Sequence, residues 1–187
     1  MWLGNRLTGP PSHDDAARVI AVTDLQAIDA PDDPRLHAIA RLAADLCGTP
    51  KGFVAFVDDA RVWLKGRHGS RNGPLCLDRC HAFCEDALHR GGVMVCEDLM
   101  LHPVHRTNPM VIGEPFYRFY AAAPIRPPGG PAIGTVAVLD TRPRGLAVHA
   151  RLHLRTLADA VSEHLEVGRV SAWLSSALEL NAAVRAA

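Results

Sequence analysis

Cys76, Cys80, His81 and Cys84 fall within nine residues, and Cys96 follows downstream. Thiolate and imidazole donors of this kind suit zinc or an iron–sulfur centre. If the segment is helical, the cysteines at 76, 80 and 84 stand at i, i+4 and i+8 and share one face. The spacing argues against a metal, because zinc sites usually leave two residues between the cysteines of a pair and this stretch has no such pair. Two other readings use the same residues. A free cysteine is a small apolar side chain that suits the buried face of a helix. A thiol lowered by a helix N-terminus, with Arg79 and His81 beside it, is instead a redox sensor or nucleophile.

Asp98, His102, His105, Asn108, Tyr117, Arg118 and Tyr120 form a second group. Arg118 can hold an anionic group through two parallel hydrogen bonds, and Tyr120 can stack on a planar ring. The structural alternative pairs Asp98 or Glu114 with Arg118 to pin the chain, while Phe119 and Tyr120 fill core and the histidines are solvated. His149, His153 and His164 have no carboxylate constellation around them and read as surface residues. Neither GxGxxG nor GxxxxGK[ST] occurs, and GxSxG and HExxH are also absent.

These groups need elements to position them. Residues 1–15, broken by Pro10 and Pro11, read as a loose arm, and 14–28 can hold a short helix. Asp33 is an N-cap with Pro34 at the first helical position. The helix it starts places Leu36, Ile39, Ala43 and Leu46 on one face and stops near Gly48 and Pro50. Residues 53–57 and 61–65 form a hairpin, 80–89 a helix and 93–96 a buried strand. The stretch 97–116 reads as a long binding loop or lid. Residues 119–125 and 133–139 are strands joined by the PPGG turn, and 147–185 form a long helix. Strands grouped in hairpins with helices at both ends predict an α+β fold: an antiparallel sheet with helices packed on its faces.

The chain has 187 residues, 20 basic and 20 acidic side chains, and zero formal net charge, so nothing draws it in bulk to nucleic acid or anionic lipid. No apolar run is long enough for a membrane span, and the first residues lack a secretory pattern. Five cysteines in such a chain are expected to be reduced thiols in a cytoplasmic protein.

Four stretches then stand out together: LHAIARLAADLCGTP running into GFVAFVDDARVWLKGRHG; AFCEDAL; VCEDLMLHPVHRTNPMVIGEPFYRFYAAAPI; and IGTVAVLDTRPR. They resemble a GAF domain, the sensor family related to PAS domains, in the bacterial branch found ahead of cyclic-di-nucleotide cyclases and histidine kinases. The resemblance covers roughly residues 20–168. It departs at Asp86, where the family commonly has His, and in the added Cys76 and Cys80.

The resemblance implies a sensor domain over 16–168 and a C-terminal helical extension over 169–187. It implies a small-molecule pocket between the sheet and the helix-plus-loop layer, lined from Cys80–Asp86 and 98–120. The candidate ligand-binding residues are Cys80, His81, Cys84, Asp98, His102, Asn108, Arg118 and Tyr120, with no catalytic residue, metal or cofactor assigned. A homodimer through the terminal helices is expected, since Trp173, Leu174 and Leu178 extend the apolar pattern beyond what the sheet needs. A downstream signalling protein would read it. Two alternatives stay open: a small thiol enzyme like the free methionine-(R)-sulfoxide reductases, and a dimerisation module without ligand.

Overall fold

Helix α1 (His13–Asp24) leads into α2 (Pro34–Cys47) in the computed structural model, which describes residues 13–70 and 75–186. The start of α2 follows from its capping chemistry. The Asp33 carboxylate accepts the Arg35 backbone N–H at 2.8 Å, and Pro34 occupies a position where no N–H is needed. The helix closes at Gly48, whose φ of 62° lets its N–H reach the Ala44 and Asp45 carbonyls.

Then come β1 (Lys51–Val57), β2 (Arg61–His68), β3 (Cys76–Asp78), α3 (Glu85–Leu88), β4 (Met94–Cys96), α4 (Pro109–Ile112), β5 (Phe119–Ile125), β6 (Gly134–Asp140) and α5 (Val148–Ala186). The six strands form one sheet in the order β3-β2-β1-β6-β5-β4, and every neighbouring pair is antiparallel. The expected α+β architecture is the observed one.

The two-residue period of the strands sorts side chains between two layers. Val54, Phe56, Phe119, Ala121, Ala123, Val136 and Val138 meet α1, α2 and the first half of α5, where Leu154, Ala158 and Val161 are fully buried. Phe53, Tyr120, Ala122, Ala137 and Leu139 point the other way, toward Phe83, Leu99, Val111 and Tyr117.

The buried face of α2 is rotated from the one expected. Leu36, Ala40, Ala43, Ala44 and Cys47 face inward, whereas Leu46 is exposed. The reason is close approach. A Cβ added at Gly52 would stand 1.9 Å from the Ala40 carbonyl oxygen, and one at Gly66 would stand 2.3 Å from that of Leu36. The helix backbone rests on the two strands, so small residues on both sides make the contact and large ones are turned outward.

Three further expectations change. Residues 80–89 are not one helix: 76–78 pair as β3, Arg79–His81 form a 3-10 turn, and only Glu85–Leu88 are α-helical. The long loop carries a 3-10 turn at His105–Thr107 and then α4, started by the Asn108 side chain and Pro109. His164 is no simple surface residue, because its Nε2 lies 2.6 Å from Asp33 Oδ2 and joins α5 to the cap of α2. Burial raises the Asp33 carboxyl, but the Arg35 N–H and His164 outweigh it and hold the group below its ordinary value. Most of the expected arm at 1–15 lies outside the described residues; its last three residues stand in α1.

Candidate ligand site

The sheet face turned away from α2 and α5 is incompletely filled. A cavity of about 460 Å³ opens there, within the range of small-molecule sites. Phe53 and Ala55 of β1, Val62 and Leu64 of β2, Tyr120 of β5, and Thr135, Ala137 and Leu139 of β6 form its floor. Ala82, Phe83 and Cys84 close one side, and Met110, Glu114, Pro115 and Tyr117 cover it from the long loop.

Its polar groups are few and placed at separate points. Lys51 Nζ donates to the Tyr117 hydroxyl at 3.1 Å and also lies 4.9 Å from that ring's centroid. Burial pushes the Tyr120 phenol well above its usual range, so it stays protonated and can both donate and accept. Thr135 is 1% exposed and its interaction with Tyr120 partly offsets that rise, yet Thr135 Oγ1 meets no protein partner in hydrogen-bond geometry. Thr135 and Tyr120 thus place two hydroxyls side by side on the cavity floor.

Of the candidate residues from the sequence, Cys84 and Tyr120 line this cavity. The others serve the surrounding frame. Asn108 caps α4 by accepting the Met110 N–H and donates its own amide to the His81 carbonyl at 2.9 Å, which holds the loop to the 3-10 turn. Arg118 donates to the Val111 and Tyr117 carbonyls at 2.8 and 3.0 Å, so its guanidinium pins the loop through backbone oxygens. Asp98 accepts the Met100 N–H in a local turn, His102 approaches Asp86, and Cys80 is exposed.

Lys51, Phe53, Thr135 and Ala137 were not anticipated. Their signal was present in strand alternation: positions 51, 53 and 55 share one face, and Thr135 is the polar residue inside the apolar run GTVAVL.

The cysteines do not converge. Among the described residues, the metal-ligating side chains whose donor atoms close to within 4.8 Å of one another are Asp86, His102 and His105. Burial pushes the Cys84 thiol up to about 12 and Cys47 to about 11, and it raises Cys96 as well. The positive charges of Arg79 and Arg18 offset this only in part at Cys84. The Arg79 guanidinium is taken by Asp15 at 2.8 Å and Glu85 at 2.5 Å, and the Glu85 charge itself opposes the thiolate. Buried thiols of this kind are packing groups rather than nucleophiles.

A central antiparallel sheet lies between a helical layer and a pocket roofed by loops, and comparison with known proteins places that architecture in a family. Residues 33–167 match the GAF domain family, and the chain belongs to it. A cyclic di-GMP phosphodiesterase of Pseudomonas aeruginosa is 33% identical over 140 residues, which are 74% of this chain and 23% of the relative. The chain thus spans about a quarter of that curated protein. Among solved structures, the GAF domain of a phosphoenolpyruvate-protein phosphotransferase from Coxiella burnetii superposes with a TM-score of 0.62 at 17% identity, covering 85% of this chain and 96% of that one. A type II free methionine-R-sulfoxide reductase from Thermoplasma acidophilum gives 0.58 at 13% identity, with 71% and 90% covered. At such identities the likeness is one of fold. No helix among the described residues is long and apolar enough to cross a membrane.

Proposed function

We propose that this chain is a sensory or regulatory domain that binds a metabolite-sized organic molecule in the cavity between the sheet and the 97–118 loop. The observation that carries the reading is the pair of buried hydroxyls, Thr135 and Tyr120, on the floor of a 460 Å³ cavity otherwise lined mainly by apolar side chains. An apolar ligand body fits among Phe53, Leu64, Phe83 and Leu139, with an acceptor or anionic group directed to Lys51 and a hydrogen-bonding atom at Thr135 and Tyr120. The domain works in a reducing cytoplasm, where its cysteines remain free thiols. The buried Cys84 thiol counts against the thiol-enzyme alternative.

Val167, Val170, Trp173, Leu174 and Leu178 are all exposed on the outer half of α5, and this supports a second copy packing there. Ligand occupancy that favours one arrangement of the loop would alter that packing, which a signalling partner reads.

Native mass spectrometry of freshly purified protein tests the ligand. The expected spectrum shows a mass added to the chain that Ala137→Phe removes while circular dichroism is unchanged. A bare chain that also gives no thermal-shift response to a metabolite panel would sink the reading. Sedimentation equilibrium tests the dimer, with Leu174→Glu expected to yield monomer.

A further inference from the structure

Outside the cavity, Asp86 of α3 faces His102 and His105 of the long loop. Asp86 Oδ2 lies 3.5 Å from His102 Nε2 and 3.4 Å from His105 Nε2. Both are long ion-pair contacts, and Asp86 is the polar group that His105 Nε2 faces, on a side chain only 8% exposed. Two imidazole nitrogens converge on one carboxylate oxygen, an arrangement that can also place them as ligands around a shared ion. Around an ion with bonds of about 2.0–2.1 Å, tetrahedral ligand atoms stand about 3.4 Å apart, which matches both separations. The imidazole rings stack with centroids 4.3 Å apart, and the donor atoms of all three residues lie within 4.8 Å of one another. Asp86 and His102 are partly exposed, which leaves a path for the ion and for a water as a further ligand.

We propose that Asp86, His102 and His105 form a site for a first-row divalent cation of the zinc class, which clamps the long loop to α3. Two imidazoles and one carboxylate are donors that zinc accepts. The clamp bears on the cavity wall, because His105 packs edge-on against Phe83 with ring centroids 5.3 Å apart, and Phe83 lines the cavity. Metal binding has a local cost. The Val104 and His105 backbone N–H groups face His102 Nδ1 at 3.3 and 3.2 Å, which puts that ring's proton on Nε2. Coordination through Nε2 moves the proton to Nδ1 and turns these two long contacts away, so the 102–105 turn adjusts as the ion enters. The site stands independently of the small-molecule reading.

The test uses the full chain, stripped with a chelator and titrated with Co²⁺ alone. The expected result is the visible ligand-field absorption of four-coordinate cobalt at one equivalent, its displacement by Zn²⁺, and a rise in Tm with Zn²⁺. Asp86→Asn keeps the side chain's shape and is expected to weaken Co²⁺ binding at least about 10-fold. His102→Ala, on the more exposed histidine, is expected to do the same, and circular dichroism checks that both variants fold. Absence of the absorption overturns the proposal. So does a near-ultraviolet thiolate charge-transfer band that survives in Asp86→Asn, because the ion would then sit on cysteine.

Discussion

The two faces of the sheet are built from the same strands and filled in opposite ways. Toward α2 and α5, Val54, Phe56, Ala121, Ala123, Val136 and Val138 are shut against helices, of which α2 approaches to backbone contact at Gly52 and Gly66. Toward the loop layer, residues one position along the same strands, Phe53, Ala55, Tyr120, Thr135 and Ala137, border open volume. Packing on the first face rests on small side chains and continuous helices. Across the second, only short elements and side-chain caps such as Asn108 and Arg118 hold the cover in place. One face therefore carries stability and the other leaves room for binding, although a single layer of backbone separates them.

Substitutions can sharpen or break that division. Leu154→Ala, on the closed face, is expected to cost about 2–5 kcal/mol in urea unfolding, because Leu154 is fully buried between α5 and the sheet. Enlarging alanine should separate the faces directly. Ala123→Leu overfills the closed face and should cost about 1–3 kcal/mol, whereas Ala137→Leu should leave stability nearly unchanged and reduce ligand binding. Equal losses from the two alanine variants would mean that the cavity face is as tightly closed as the other.

Asp33→Ala removes the α2 cap and its link to His164, and about 1 kcal/mol of stability at neutral pH should go with them. Because the folded carboxyl is held below its unfolded value, the Asp33 contribution is present above about pH 4 and is lost as the pH falls through the folded value. Acid unfolding of the variant should accordingly begin from a lower plateau and show a shallower slope.

The smallest effects come from two buried hydroxyls. Ser162→Ala deletes a hydroxyl that donates to the Arg126 carbonyl at 3.1 Å and should cost about 1 kcal/mol. Thr135→Val deletes one whose neighbour is the Tyr120 phenol and should change the stability of the unliganded protein by less than about 1 kcal/mol, while weakening the ligand.

Much of this division was legible in the chain. The Asp33-Pro34 start, the Gly48 stop and the alternating strands follow from local stereochemistry, which acts over a few residues. The face of α2 did not, because it depends on Gly52 and Gly66 meeting Ala40 and Leu36, contacts made only in the folded sheet. The candidate site was legible by region more than by residue. Tyr120 and Cys84 line the cavity, but Arg118 and Asn108 spend their hydrogen bonds on the chain itself, and polarity alone does not separate a side chain that holds a loop from one that faces a ligand. Lys51 and Thr135 lay in strands whose facing is settled by pairing with partners far along the sequence. A shared face for Cys76, Cys80 and Cys84 was conditional on a helix, and β3 and a 3-10 turn stand there instead.

Helix α5 runs without interruption for 39 residues, and its fully buried contacts with the sheet extend to Val161. At 1.5 Å per residue, roughly 38 Å of helix lies beyond that fulcrum. Each degree of tilt set at the sheet moves the far end by about 0.7 Å on this length. A displacement in the core too small to disturb its packing is thus multiplied, by rigid leverage alone, into one that a neighbouring molecule can register.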